Sequence, residues 1–208
     1  MEKQLLIRRT HGGAVLVESK QLQKSIPFLI REMEESNQKL LMAKKALQLI
    51  KDNDVIMLDS STAAYNIVPF LDQRSKVSVI TNGIRTLEML GAHEIPGWCT
   101  GGRFSSDGSA LIGEDACRML GKYNANIAFC SCAGVSMDGK ASDYIMEENY
   151  IRQQMWRQSE IKVLMCTSSK LDRKFMHTLC LLEDLDYVIS DVECPKELAD
   201  KLGNTVWL

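Results

Sequence analysis

The sequence predicts an α/β protein built on a mostly parallel, doubly wound sheet with helices on its two faces. Three observations predict this fold class. Short apolar runs of strand length alternate with segments of helical spacing from about residue 55 onward. These runs are continuously apolar, which is typical of parallel strands that are buried on both faces. Several of them end in small, hydroxylated or glycine-containing loops immediately before the next helix.

The first residues differ from this rhythm. The stretch "QLLIRRTHGGAVL" is basic, contains a Gly-Gly turn and has no core of its own, and a polar linker follows to about residue 26. A long helix is predicted over residues 34–51, with Lys39 on its polar side. The apolar positions at helical spacing in this segment are Leu40, Ala43, Leu47 and Ile50.

Strands and helices then alternate to the last residue. The predicted strands are residues 55–58, 77–80, 95–100, 127–132, 161–166, 187–189 and 206–208. The predicted helices are residues 63–71, 84–90, 114–122, 145–158 and 195–202. No internal repeat or low-complexity tract interrupts this order.

Composition excludes several classes of function. The 208 residues are 45% hydrophobic and 25% charged, with a net charge of −2, which predicts no nucleic-acid or membrane partner for the chain as a whole. No apolar run approaches the roughly 18–20 residues that span a bilayer, and no signal peptide opens the chain, so we expect a cytoplasmic protein. Seven cysteines in apolar segments are typical of reduced, buried thiols. Cys130 and Cys132 lack a second Cys or His pair at ligand spacing, and GxGxxG and Walker loops are absent, so we expect no metal and no cofactor.

Four loops suit a small anionic ligand: "DSSTA", "TNG", "TGGR" and "TSSK". The carboxyl ends of parallel strands meet at one edge of a sheet, where hydroxyls and helix N-terminal N–H groups attract anions and glycines admit a close approach. The sequence therefore predicts a pocket for a small phosphorylated polyol. The candidate effector-binding residues are Asp59, Ser60, Ser61, Thr62, Thr81, Asn82, Gly83, Gly101, Gly102, Arg103, Glu148, Ser169 and Lys170.

These candidates have different expected roles. Arg103 can bind a phosphate bidentately, and Lys170 offers a compact positive charge. Asp59 repels a phosphate, so we expect it to accept hydrogen bonds from sugar hydroxyls or to fix its loop. Each loop alone has an ordinary explanation, because Ser, Thr and Asn are common N-caps and Gly-Gly is a common turn. The hypothesis therefore depends on all four loops meeting at one edge.

An enzymatic interpretation stays open beside this one. The three histidines have no evident Ser or Cys partner. A group of carboxylates after the strand at residues 127–132 can supply a base for chemistry on a sugar phosphate, although such residues more often cap or solvate a helix. They are Asp138, Asp143, Glu147 and Glu148.

In order along the chain, "THGGAVL", "LDSSTA", "VITNG", "CTGGRF", "LIG", "TSSKLDRKF" and "YVISD" resemble the DeoR/GlpR-type bacterial transcriptional regulators. The resemblance runs from about Arg8 to the last residue. It implies a winged helix-turn-helix followed by a sensor domain similar to ribose-5-phosphate isomerase and glucosamine-6-phosphate deaminase. By this resemblance residues 1–17 are a remnant of the wing, residues 18–32 a linker and residues 33–208 the effector-sensing domain, with the helix-turn-helix itself missing.

The resemblance extends to single loops and has three departures. Asp59, Ser61 and Thr62 match an Asp-x-Gly-Thr-Thr loop, and the Thr-Asn, Thr-Gly-Gly and Ser-Ser-Lys loops are matched at residues 81–82, 101–103 and 168–170. Ser61 replaces a Gly, Ala63 a Thr and Thr167 an Asp, so we expect a narrower phosphate cradle with one hydroxyl fewer. The acidic catalytic loop of the related isomerases is replaced by "CSCAGVSMDG", which removes their base.

The hypothesis is therefore a sensor domain of a DeoR-type repressor, not an enzyme. It implies a phosphorylated sugar or related metabolite as effector, operator DNA bound through the N-terminal domain, a homo-oligomer and no membrane partner. One alternative is a sugar-phosphate isomerase- or deaminase-like enzyme. Another is a ligand-free scaffold, in which Lys170→Ala and Arg103→Ala change nothing.

Overall fold

A computed structural model describes residues 6–10, 13–17, 28–105 and 110–208. At the start, β1 (Leu6–Thr10) and β2 (Gly13–Val17) form an antiparallel hairpin. Residues 18–27, most of the predicted linker, lie outside the described residues. The last residues of that predicted linker belong to a helix.

The helix predicted over residues 34–51 is the shorter α2 (Ser36–Leu47), and an additional helix, α1 (Phe28–Met33), precedes it. Between them Glu35 adopts left-handed backbone angles, with φ 51° and ψ 36°, which end a right-handed helix. The buried face of α2 is also rotated from the predicted one. Lys39 is only 4% exposed, while Leu40 remains 40% exposed. The predicted assignment of these two side chains was wrong.

The remaining strands and helices alternate as the sequence predicts, with additional short strands. The strands are β3 (Val55–Leu58), β4 (Ser78–Thr81), β5 (Gly97–Cys99), β6 (Arg103–Ser105), β7 (Ala110–Ile112), β8 (Ala125–Ser131), β9 (Gly134–Ser136), β10 (Lys140–Asp143), β11 (Ser159–Met165), β12 (His177–Leu181), β13 (Tyr187–Ile189) and β14 (Val206–Trp207). The helices are α3 (Thr62–Tyr65), α4 (Ile84–Ala92), α5 (Glu114–Leu120), α6 (Met146–Arg157) and α7 (Lys196–Ala199), with 3₁₀ turns at Val68–Gln73, Ser168–Lys170 and Leu182–Asp184.

A seven-stranded sheet in the order β14-β13-β11-β8-β3-β4-β5 forms the centre of the fold. Each neighbouring pair in it is parallel. From β3 the chain moves outward to β4 and β5, and it then returns to β8 on the opposite side of β3. The strand order therefore reverses between β3 and β8, where open parallel sheets bind ligands. The predicted fold class is confirmed.

Both faces of the sheet are covered, which explains the continuously apolar strands. Ile56 and Leu58 belong to the core that includes α2 and α3, whereas Met57 belongs to the core that includes α5 and α6. All three side chains are fully buried. Burial of one such side chain contributes about 1.5–3 kcal/mol to the free energy of unfolding.

Two small antiparallel sheets were not predicted. β12, β10 and β9 form one of them, and β6 pairs with β7 in the other. Their sequences are short and partly polar, such as "GVS" and "KASD", so periodicity does not distinguish them from loops. The predicted helix at residues 63–71 is broken as well, because Pro69 begins a 3₁₀ turn at its centre. Among the described residues no helix is long and apolar enough to cross a membrane.

Candidate functional site

A cavity of about 180 Å³ opens at the carboxyl ends of β3, β8 and β11, beside the reversal of strand order. Loops after these strands supply one part of the lining: Ser61, Thr62, Ser131, Cys132, Ser169 and Lys170. The region around the start of α6 supplies a second part, which includes Asp143, Glu148 and Arg152. The N-terminal helices supply a third, which includes Arg31, Glu34, Glu35 and Lys39.

Asp59 fixes the loop that follows β3. Its Oδ1 accepts hydrogen bonds from the backbone N–H and the hydroxyl of Ser61, and its Oδ2 accepts one from the N–H of Ser131 at 3.0 Å. The side chain is 1% exposed, and it does not line the cavity. Of the two roles expected for Asp59, the geometry supports fixing the loop.

Ser61 caps the helix that starts beside the cavity. Its Oγ accepts the N–H of Ala64 at 3.2 Å, as an N-cap does for α3. Its backbone is extended, with φ −78° and ψ 152°, which a residue with a Cβ adopts without strain. Thr62, one residue further, lines the cavity and is 5% exposed.

Arg152 joins three buried carboxylates behind the cavity. Its Nε donates to Asp59 at 2.9 Å, Nη1 to Asp143 at 2.8 Å and Nη2 to Glu148 at 2.8 Å. Nη1 also donates to the side-chain oxygen of Asn149 at 3.2 Å. Burial raises the pKa of Glu148, and the positive charge of Arg152 opposes that rise. Asp143 and Glu148 thus pair with a buried guanidinium instead of facing solvent, and Glu148, a candidate ligand contact in the sequence analysis, lines the cavity.

Two lysines form a basic side of the cavity. Lys170 Nζ donates to Ser131 Oγ at 2.9 Å, and that hydroxyl donates to the carbonyl of Met165. Lys39 Nζ donates to the carbonyls of Arg31 and Glu34 at the end of α1. Burial, with the positive charge of Lys170 as the next cause, lowers the pKa of Lys39 to about 8. The two ammonium groups therefore lie close enough to repel each other.

The loop after β11 contacts the N-terminal helices. Thr167 Oγ1 donates to Glu35 at 2.8 Å and lies 3.2 Å from Ser169 Oγ. The hydroxyl of Thr167 can donate to Glu35, whereas an ionised carboxylate at this position would repel it. Ser168 is held separately by both carboxylate oxygens of Asp191.

Besides Asp59, seven of the predicted site residues lie outside the cavity lining, and six of these belong to the loops after β4 and β5, on the far side of β3. Thr81 accepts the N–H of Gly83, and a Cβ on Gly83 would lie 3.1 Å from the Cα of Ser60, so these loops pack on each other. The side-chain amide of Asn82 donates a hydrogen bond to the carbonyl of Leu111 in β7. The residues concerned are Ser60, Thr81, Asn82, Gly83, Gly101, Gly102 and Arg103.

The third loop has structural functions of its own. Gly102 has φ 103°, and a Cβ there would lie 2.7 Å from the carbonyl oxygen of Ile112, so it allows packing of the chain on itself. Gly101 also has a positive φ, of 64°. Arg103 is mostly exposed and donates to both carboxylate oxygens of Glu147 at 2.8 and 2.9 Å. The observed cavity is thus smaller than the predicted pocket, because only two of the four predicted loops, those after β3 and β11, line it.

Several lining residues were missed in the sequence. The spacing of Glu148 and Arg152, four residues apart on a helix, was a visible signal of an ion pair. Arg31, Lys39 and Ser131 had no local signal, because their positions depend on packing between distant segments.

The cysteines divide into two groups. All are free, and Cys130, Cys132 and Cys166 are buried as expected, whereas the others are only partly buried. A hydrogen bond with Cys166 lowers the pKa of Cys132. Within the described residues no group of three or more His, Cys, Asp or Glu is arranged to hold a metal ion.

Comparison with known protein families identifies the class of protein to which this chain belongs. Residues 34–192 match the family described as DeoR C-terminal sensor domain. The chain belongs to this family and is a sensor domain of a DeoR-type transcriptional regulator.

Individual relatives agree with that assignment. The chain is 31% identical over 193 residues to an uncharacterized HTH-type transcriptional regulator, YulB, of Bacillus subtilis (strain 168), covering 92% of this chain and 73% of the relative. It is also 31% identical over 195 residues to the lactose phosphotransferase system repressor of Lactococcus lactis subsp. lactis, covering 92% and 75% of the two chains. A structure of D-ribose-5-phosphate isomerase in complex with phospho-erythronic acid is similar in fold, with a TM-score of 0.51, 15% identity and coverage of 67% of this chain and 56% of the isomerase.

Proposed function

We propose that the cavity binds a phosphorylated sugar, or a closely related phosphorylated polyol, as the effector of a transcriptional repressor. The observation that carries this proposal is the division of the charged lining between Lys39 and Lys170, its basic side, and Asp143 and Glu148 with their partner Arg152, its acidic side. A ligand with an anion at one end and hydroxyl groups at the other fits that division. The volume of about 180 Å³ favours a small metabolite.

The phosphate is assigned to the side of Lys170. Its ammonium has three N–H donors, of which one is bonded to Ser131. Thr62 and Ser169, which carry hydroxyl groups, also line the cavity. Hydrogen bonds from an ammonium to a phosphate are charge-assisted and are roughly twice as strong as neutral ones. Lys170 therefore supplies the main attraction for a phosphorylated ligand.

The hydroxyl groups of the ligand are assigned to the acidic side. Glu148 and Asp143 are held by Arg152 and line the cavity, so their orientation is set before a ligand arrives. Carboxylate oxygens accept hydrogen bonds from vicinal hydroxyls, and each oxygen has more than one lone pair. This side distinguishes a sugar phosphate from inorganic phosphate.

We infer that the effector controls operator DNA through a winged helix-turn-helix that precedes these residues. The names of the relatives, an HTH-type regulator and a repressor, support that inference. The β1–β2 hairpin is the form expected for the end of a wing. Operator binding would place the protein in the cytoplasm.

A homo-oligomer is part of the same proposal. Leu29, Met33 and Leu41 are 57%, 82% and 43% exposed on α1 and α2, although all three are apolar. Exposed apolar side chains of this size favour contact with another protein surface. Sedimentation of the chain should give a mass that is a multiple of 23.4 kDa; a monomer at micromolar concentration would contradict it.

The enzymatic alternative has weaker support. Asp143 and Glu148 each already accept a hydrogen bond from Arg152. Asp138 lies at the surface, where hydrogen bonds from Ser136 and Lys140 lower its pKa well below the usual range. A general base at neutral pH requires a higher pKa than Asp138 provides. Turnover of a sugar phosphate that Glu148→Gln abolishes would favour the enzyme instead.

Thermal unfolding against matched pairs of sugars and sugar phosphates tests the proposal. A ligand at about 100 times its Kd adds roughly 2.7 kcal/mol of stability. For a domain of this size that corresponds to a rise in Tm of roughly 5–10 °C. The rise should occur with phosphorylated members only and should be lost in Lys170→Met. Lys174→Met is the matched control, because Lys174 pairs with Asp138 outside the cavity lining. Equal shifts with the unphosphorylated sugars would refute the proposal.

A further inference from the structure

The N-terminal helices turn their charged side chains into the cavity. Arg31 of α1, Lys39 of α2 and Glu35 between the two helices all line it. The apolar Leu29 and Met33 of the same segment are instead exposed. An ordinary amphipathic helix on a sheet has the opposite arrangement, with its apolar side buried. On α1 this arrangement indicates that the inner side meets a polar cavity, whereas α2 also buries Met42, Ala43 and Ala46 in the apolar core.

Lys39 is placed to bind an anion. Its side chain is 4% exposed, and two of its three N–H donors go to the carbonyls of Arg31 and Glu34. That leaves one donor without a partner among the described residues. Lys170, in the loop after β11, is partly buried and also has donors to spare. Two neighbouring ammonium groups repel each other, and an anion between them converts that repulsion into two attractive contacts.

We propose that Lys39 is an effector-binding residue, and that an anionic group held between Lys39 and Lys170 fixes the α1–α2 segment against the sheet. The inference rests on the proposed function, in that the cavity binds a phosphate group. Lys39 is suited to this coupling because the same ammonium also closes the carbonyl end of α1. The hydrogen bond from Thr167 to Glu35 is a second tie between the segment and the loop of Lys170.

The consequence concerns the direction of signalling. The α1–α2 segment lies between the β1–β2 hairpin and the sheet in the order of the chain. A ligand that binds Lys39 stabilises one position of α1. It can shift the position of the residues before α1 only because it binds the protein more tightly when α1 is in that position. The ligand would thus act on the residues before α1 through its own contact with Lys39.

Two measurements on the 208-residue chain test the inference, with inorganic phosphate and ribose 5-phosphate as probes. Titration calorimetry should show that Lys39→Met weakens binding of each probe roughly 10- to 100-fold, the usual worth of a hydrogen bond to a charged group. Lys44→Met, which removes an exposed lysine from the same helix, should bind as the wild type does. Hydrogen exchange of the α1 amides should slow when the wild type is saturated, and this protection should be absent in Lys39→Met.

The outcomes separate the inference from the proposed function. Loss of binding in Lys170→Met with unchanged binding in Lys39→Met would overturn the inference and leave the proposed function intact. No binding by the wild type would overturn both. Should Lys39→Met disturb α1 by itself, the ¹³Cε resonance of Lys39 in the wild type gives the same answer. It should move on addition of phosphate while that of Lys44 does not, and an unmoved Lys39 signal at saturation would overturn the inference.

Discussion

Arg152→Met should destabilise the protein strongly at neutral pH and much less at acidic pH. The variant removes the guanidinium that bonds Asp59, Asp143 and Glu148 at 2.8–2.9 Å, and leaves three carboxyl groups with side chains at most 11% exposed. Removal of one partner from a buried ion pair costs about 3–5 kcal/mol. Since methionine fills much of the same volume, cavity formation adds little to this loss.

The structure also sets the pH dependence of that loss. Burial raises the pKa of Glu148 and Arg152 opposes the rise, so the variant should raise this pKa further. A group whose pKa is raised in the folded state binds a proton more tightly there, so folding is favoured as the pH falls. Protonating a Glu with an ordinary pKa requires about 4 kcal/mol at pH 7.5 but only about 1 kcal/mol at pH 5. That smaller value limits the loss at acidic pH.

Urea unfolding followed by circular dichroism at pH 7.5 and pH 5.0 measures both quantities. We expect a loss of about 3–5 kcal/mol at pH 7.5 and about 1–2 kcal/mol at pH 5.0 relative to the wild type at the same pH. Arg103→Met is the matched control, because its ion pair with Glu147 is exposed and is worth about 0–1 kcal/mol. A loss below about 1 kcal/mol at pH 7.5, or an equal loss at both pH values, would refute the reasoning.

Three further predictions use the same unfolding assay. Ser61→Ala removes the cap of α3 and should cost about 1 kcal/mol; no change would mean that water replaces the hydroxyl. Gly102→Ala should cost more than about 1 kcal/mol, because φ is 103° and the new Cβ would lie 2.7 Å from the Ile112 carbonyl. Its control, Gly91→Ala in α4, has open space and should stabilise by roughly 0.5–1 kcal/mol. Lys39 has a pKa of about 8 in the folded protein, below its unfolded value, so the unfolded chain binds more protons above pH 8. The stability of the wild type relative to Lys39→Met should therefore rise between pH 8 and about pH 10, and a flat difference would contradict the lowered pKa.

The central sheet was predictable because its strands carry a strong local signal. Residues 55–58 and 187–189 form strands with the predicted bounds, since an uninterrupted apolar run can be buried only between two layers. The strands β9, β10 and β12 gave no such signal. β10 finds its partner β12 more than thirty residues away, so only the folded chain shows that "KASD" is a strand.

The position of the cavity in the fold was predictable from the sequence. The side chains that line it were less predictable. Ser169 and Lys170 line the cavity as expected, because loops after parallel strands meet at one edge. Arg103 does not, since β5 lies at the far edge of the sheet from β8 and strand order cannot be read from a single sequence. Lys39 was assigned to a polar helix face, because a helical pattern does not show that a charge can be buried against carbonyl groups.

Asp59 and Arg152 hold the shape of the cavity, whereas the groups assigned to its occupant include Lys39, Glu148 and Lys170. This separation has an evolutionary consequence. Substitutions at the touching positions can alter which metabolite is recognised while the framework behind them stays folded. Substitutions at the framework positions remove recognition and stability together. A lineage of such regulators can therefore acquire new effectors through substitutions in single loops. Asp59 and Arg152 should be the last of these residues to change.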